Sequence, residues 1–216
     1  MGGSGMKIAL ISGSPKTKHC TSLVLLDGLR GCLRPDIEVI EAAFRTASPG
    51  KGELAAVLGC DALVVACPLY VDGLPGHLVG ALEALEAELK AAPGRSRTLY
   101  GILNCGFYEG EQAEVALEML GHWARRAGVR WGGGIGVGAG GMLGGLDSVP
   151  MGKGPKKSIG AALADLAGRI GVLAEGEPVY VHADIPRIAY KTAAEHGWRT
   201  AVKKRGLGVK DLFTQR

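Results

Sequence analysis

From residue 7 to residue 137, short apolar runs alternate with longer segments whose apolar residues recur every three or four positions. Residues 7–12 (KIALIS) form a β-branched apolar run closed by Gly-Ser-Pro, the pattern of a buried strand. Residues 22–33 then set Leu23, Leu26, Leu29 and Leu33 at helical spacing. Residues 37–43 predict a second strand and 53–58 a short helix. Residues 61–67 (DALVVAC) are apolar almost throughout, as a parallel strand covered on both faces requires, and the run stops at Pro68. A helical pattern over 76–92, a strand over 98–103, a helix over 111–127 and a glycine-diluted strand over 129–137 follow.

Five strands separated by helices predict a parallel, doubly wound α/β sheet. Parallel neighbours need crossover connections, and right-handed crossovers place helices on both faces. Beyond the sheet, 132–154 is rich in glycine and 157–174 reads as one more amphipathic helix. Residues 177–185 read as extended, and 186–205 as a helix with Pro186 in its first turn.

The chain of 216 residues is long enough for one such domain with an appendage. Residues 1–5 (MGGSG) read as a Gly/Ser leader added before a second start at Met6, residues 6–177 as the domain and 178–216 as a C-terminal extension packed on the domain or on a second subunit. Five scattered cysteines without a CxxC pair suggest neither a disulfide framework nor a metal site. No apolar run reaches the roughly 18 residues of a membrane helix. These features predict a cytoplasmic protein with no membrane partner.

The net charge of +4 is uneven. From Arg187 onward there are eight Lys/Arg against two Asp/Glu, so the residues before it carry net −2. A basic tail can draw nucleic acid, yet it is as often the solvated face of a terminal helix. Lys191, Arg199 and Arg205 share no clear helical stripe, and no nucleic-acid partner is expected.

In open α/β sheets ligands sit outside the carboxyl ends of the strands. The loop after the first strand, residues 12–22 (SGSPKTKHCTS), is hydroxyl-rich and runs into a helix start, where unpaired N–H groups and the positive dipole end suit a phosphate. Thr21 or Ser22 could equally cap that helix. After the third strand, Pro68-Leu69-Tyr70-Val71-Asp72-Gly73-Leu74-Pro75 is a stiff, apolar-bodied loop suited to a flat ring, although Tyr70 could instead lid the core. After the fourth strand, Gly106 lies between Asn104-Cys105 and Phe107 and permits close approach of backbone N–H groups to a ligand.

SGSPK followed by TS, PLYVDGLPGHL and NCGF together resemble the flavodoxin-like NADPH-dependent FMN reductases and NAD(P)H-dependent oxidoreductases, over about residues 6–174. The resemblance implies a flavodoxin-like sheet of order 2-1-3-4-5 and FMN as cofactor, with NADPH or NADH as reductant. It places Ser12, Ser14, Lys16, Thr21 and Ser22 at the FMN phosphate, with Lys16 where the family usually carries arginine. Pro68, Leu69, Tyr70 and Val71 would wrap the ribityl chain and ring edge, and Asn104, Cys105, Gly106 and Phe107 would face the pyrimidine side. The implied reaction passes hydride from nicotinamide to flavin N5 and electrons on to a quinone, free flavin, azo compound or similar small acceptor. No catalytic acid or base is singled out, because the cofactor carries the chemistry. A homodimer is the implied assembly. The alternative is a flavodoxin-type electron carrier with no nicotinamide reaction of its own.

Two motifs lead elsewhere. Residues 136–141 (GVGAGG) match GxGxxG but follow the fifth strand instead of the first, so a flexible loop is the better reading. Residues 152–158 (GKGPKKS) lack a Walker ending. His122 and Cys105 have no evident partner, and packing explains both better than chemistry.

Overall fold

The computed structural model describes residues 5–18, 20–91 and 94–214. Residues 1–4, read from the sequence as part of a leader, lie outside the described residues. Strands β1 (Lys7–Ser12), β2 (Glu38–Ala43), β3 (Ala62–Pro68), β4 (Thr98–Asn104), β5 (Arg130–Val137) and β6 (Val179–Val181) form one sheet of order β2-β1-β3-β4-β5-β6. Every neighbouring pair is parallel. The five expected strands are joined by a sixth, because 179–181 of the expected extension pairs with Ile135–Val137 of β5.

Helices α1 (Thr21–Arg30), α2 (Lys51–Leu58), α3 (Gly76–Ala91), α4 (Glu114–Arg126) and α5 (Lys157–Ile170) make the crossovers. Alternation along β3 sends Leu63, Val65 and Cys67 into a core shared with Leu54 and Val57 of α2, Leu78, Leu82 and Leu85 of α3, and Leu117 and Leu120 of α4. The intervening residues of the strands face α1 and α5, which pack on each other. Both faces of β3 are therefore covered, which is why its run carries no polar residue.

The chain divides into a compact unit ending at Ala183 and a second unit, Asp184–Arg216. The first unit thus includes β6. The second unit consists of α6 (Arg187–Lys204), none of whose residues is buried, and a short 3-10 turn, Val209–Phe213. Among the described residues no helix is long and apolar enough to cross a membrane.

One buried carboxylate couples this core to pH. Glu86 of α3 is 8% exposed and accepts from Lys90 Nζ at 2.6 Å and from Arg126 Nη2 of α4 at 2.7 Å. The Lys90 hydrogen bond, aided by Arg126, holds its carboxyl below the ordinary 4.5 despite burial. A depressed folded-state value means the bonded form is the ionised one. The stabilisation is therefore complete above pH 4.5 and is lost as pH falls through the lower, folded-state value. In urea titrations from pH 6 downward, the wild type is expected to lose stability below pH 4.5 more steeply than Glu86→Gln. Parallel curves for the two proteins would refute this.

Candidate functional site

The strand order reverses at β1, which has β2 on one side and β3 on the other, so the switch point lies at the carboxyl ends of β1 and β3. Ser12, Pro68, Asn104 and Val137, the last residues of β1, β3, β4 and β5, fall along this edge. All thirteen residues expected at the site lie at its strand ends, in the loops that follow them or on the first turn of α1.

The first loop is a hydrogen-bonded turn. Ser12 and Ser14 are each 3% exposed, the Lys16 N–H donates to Ser14 Oγ at 3.3 Å, and the Lys16 and Lys18 side chains are exposed. The Gly13 N–H donates to the Ala66 carbonyl at 2.8 Å, and His77 Nε2 of α3 donates to the Gly13 carbonyl at 3.2 Å. A Cβ at Gly13 would meet Leu78 Cδ2 at 2.6 Å, so glycine here lets the loop lie against α3.

The start of α1 resolves the capping question. Its N-cap is Cys20, with no side-chain cap and no acidic residue in the first turn. The two hydroxyls that could have capped it bind across the site instead. Thr21 Oγ1 donates to the Gly140 carbonyl at 2.9 Å, and Ser22 Oγ, fully buried, donates to Asn104 Oδ1 at 3.0 Å. Their single protons are thereby committed, and what the helix start offers an anion is its backbone N–H groups and dipole.

After β3 the chain closes a two-residue hairpin. Tyr70 and Gly73 exchange both backbone hydrogen bonds, at 3.0 and 3.1 Å, with Val71 at φ 49° and Asp72 at φ 58°. Positive φ at both central positions defines a type I′ turn, which favours Asn-Gly; a β-branched valine there is strained by about 1–2 kcal/mol. Such strain persists only where the surroundings hold it. The turn presents Val71 fully exposed and Tyr70 46% exposed at the edge.

After β4, Asn104 and Cys105 are buried while Phe107 is 56% exposed. The Leu69 N–H donates to the Asn104 carbonyl at 2.8 Å, so the second loop is fastened to the third. Cys105 Sγ donates to the Glu109 carbonyl at 3.4 Å, and burial pushes its thiol up. It is therefore a packing residue and not a reactive thiolate. A Cβ at Gly106 would meet open space, so that backbone is approachable.

The GxGxxG segment is packed, where a flexible loop was expected. The Gly138 N–H donates to the Val181 carbonyl, that of Ala139 to Phe107 and that of Gly140 to Cys105. A Cβ at Gly136 would lie 2.5 Å from the Gly110 oxygen, and one at Gly138 2.1 Å from the Tyr108 oxygen. Close backbone approach, not a pyrophosphate, requires these glycines. His77 and Gly140, both outside the sequence-derived set, join the first loop to α3 and α1 to the segment after β5.

Two exposed aromatics, a strained turn carrying Val71 and Asp72, an exposed Gly106 and an uncapped helix start thus share one edge. The donor set fits a flat ring carrying a phosphate: cationic and N–H groups lie at one end and Tyr70 and Phe107 at the other.

No known family profile and no curated protein matches the chain. Among solved structures, it is similar to an NADH:FMN oxidoreductase in its apo form, with 17% identity and a TM-score of 0.60 over 81% of this chain and 92% of that one. It is likewise similar to an oxidoreductase from Corynebacterium diphtheriae, with 15% identity and a TM-score of 0.57 over 79% and 97%. A short-chain flavodoxin associated with a bacterial microcompartment gives 12% identity and a TM-score of 0.53 over 79% and 99%. Identities this low speak to architecture, and with the strand order and the switch point they establish that this chain has the flavodoxin-like fold.

Proposed function

We propose that the chain is an FMN-dependent NAD(P)H oxidoreductase of the flavodoxin-like reductase family that passes electrons to a small organic acceptor. The observation that carries this reading is the joining of the three loops into one edge. Ser22–Asn104, Thr21–Gly140 and Leu69–Asn104 fasten α1, β3, β4 and the segment after β5 together at a single switch point. When bound, FMN would supply the hydride-accepting and electron-donating chemistry.

The protein's part is to bind and orient. The backbone N–H groups of Thr21 and Ser22 in the first turn of α1, with Ser12, Ser14 and Lys16 of the first loop, would hold the phosphate, while the Thr21 and Ser22 hydroxyls fasten the site. Pro68, Leu69, Tyr70 and Val71 would bound one side of the ring, and Asn104, Cys105, Gly106 and Phe107 the other. Lys16 contributes a mobile point charge in place of an arginine fork. The exposed faces of Tyr70, Val71 and Phe107 suit a flat, apolar acceptor such as a quinone or azo compound.

The alternative, a one-electron carrier, turns on nicotinamide reactivity. Charge does not discriminate, because the basic residues cluster from Arg187 onward and the residues before it carry net −2. Purified protein loaded with FMN and mixed anaerobically with NADH or NADPH is expected to bleach, and then to reduce a quinone at steady state. A loaded protein that neither nicotinamide bleaches would favour the carrier, and a protein that fails to take up FMN would overturn the proposal. The homodimer belongs to the same proposal and is read from the mass of the loaded protein in solution.

A further inference from the structure

The opposite end of the sheet carries a second cavity. A cleft of about 400 Å³ opens where α3 and α4 end and β4 and β5 begin, lined by Lys90, Arg95, Arg97, Arg125 and Arg126 and, among the described residues, by no acidic side chain. Its volume lies in the range of small-ligand pockets. β4 and β5, of seven and eight residues, separate it from the switch-point edge by roughly 20–25 Å at about 3.3 Å per residue, so it is no part of that site.

Three of the five cations are paired, with two carboxylates between them. Lys90 and Arg126 share Glu86, and Arg95 pairs with Asp61 at 2.6 Å. Arg97 and Arg125 have no carboxylate within ion-pair distance among the described residues. Arg97 is 7% exposed; its terminal nitrogens donate to the carbonyls of Leu58 at 2.7 Å and Arg95 at 3.2 Å, and its Nε has no partner. Burying a guanidinium without a counter-charge is costly, and neighbouring cations raise that cost. Helix dipoles account for Lys90, Arg125 and Arg126, which sit in the last turns of α3 and α4, and the Leu58 carbonyl gives Arg97 a partner at the end of α2. They do not account for the convergence of all five on one concave surface that Glu86 and Asp61 only partly offset.

We propose that this cleft binds a small anion bearing two phosphoryl groups. Arg125, exposed and without a carboxylate partner among the described residues, offers an N–H fork that matches phosphate oxygens, Arg97 adds a second guanidinium charge behind it, and the paired cations around them keep the potential positive. At Gly94 and Gly128, on its wall, an added Cβ would meet nothing within 4 Å, so the backbone there is open to a ligand. The proposal stands independently of the flavin reading.

The test is a titration of the 15N-labelled full chain with sodium pyrophosphate, the ionic strength held constant with NaCl. Saturable 1:1 shifts are expected at the amides of Gly94, Gly128 and Val129. The affinity should fall about tenfold in Arg125→Ala, the loss expected for one charge-assisted contact, and stay unchanged in Lys51→Ala, an exposed lysine at the start of α2 outside the cleft. Arg97→Gln should weaken binding likewise; if it does not fold, Arg125→Ala decides alone. Shifts that never saturate, that appear only at Gly13 and Ser14, or that are as strong in Arg125→Ala as in the wild type would overturn the proposal. So would binding of a DNA duplex without binding of pyrophosphate.

Discussion

Alanine at Gly138 is expected to destabilise the protein by at least about 3 kcal/mol, a large share of the roughly 5–15 kcal/mol that holds a domain folded. The added methyl would lie 2.1 Å from the Tyr108 oxygen, 2.7 Å from the Glu109 carbonyl carbon and 2.7 Å from the Gly110 nitrogen. Every obstacle is backbone, so no side chain can swing aside. The neighbouring backbone cannot retreat cheaply either, because the Gly138 N–H is bonded to the Val181 carbonyl at 2.8 Å and Ala139 to Phe107. Relief would mean lifting β6 or the segment after β4 away from β5, and the latter carries Cys105, Gly106 and Phe107. Gly144→Ala is the control: its Cβ meets nothing within 4 Å and its backbone is not in the left-handed region. Thermal unfolding should show a drop of about 6–12 °C for Gly138→Ala and almost none for Gly144→Ala. Equal shifts for the two would show that β5 does not pack as described.

Those contacts also explain what the sequence concealed. The five long strands and their helices were legible because each apolar run is covered on one or both faces, and burial imposes a period. β6 was legible only as part of an extended segment, not as a sheet strand, because three residues of an edge strand, two of them half-buried and one exposed, carry too short a signal. The glycines at and after the end of β5, 136–141, read as a flexible loop with a false dinucleotide fingerprint, since a sequence shows that glycine is present without showing which backbone it lets come close. α1 was expected to run on to Leu33 but ends at Arg30, with Gly31 at its C-cap. The Val71-Asp72 turn lacks the Asn-Gly signature of its type and was legible only as a stiff loop.

Candidate site residues were easier to place than to interpret. Topology carried every one of them to the same edge, as the switch-point rule requires. Whether Thr21 and Ser22 cap a helix, hold a ligand or fasten loops depends on where one proton points, and no local pattern encodes a partner more than eighty residues away in Asn104. Arg97 and Lys156 are buried although charge alone would place them outside. Arg97 does so by reaching the Leu58 carbonyl across 39 positions of sequence.

The phosphate end of the candidate flavin site yields the sharpest test, because it separates FMN from riboflavin. In Ser14→Asp the carboxylate can still accept the Lys16 N–H, since Asp makes the same turn two residues on that the serine hydroxyl makes here at 3.3 Å. The fold of the loop should survive, since the hydrogen bond that shapes it is kept. The negative charge of the carboxylate would face a phosphate held by the start of α1. Two like charges about 4 Å apart repel by up to about 4 kcal/mol at a partly screened site, and screening by solvent reduces this to about 2–3 kcal/mol. FMN affinity should therefore fall about 100-fold. Riboflavin, which has the same ring and ribityl chain without the phosphate, should bind the variant within about threefold of the wild type. Quenching of flavin fluorescence measures both. A parallel loss of the two ligands would mean that the loop had been disturbed as a whole, and an undiminished affinity for FMN would remove the phosphate from the start of α1.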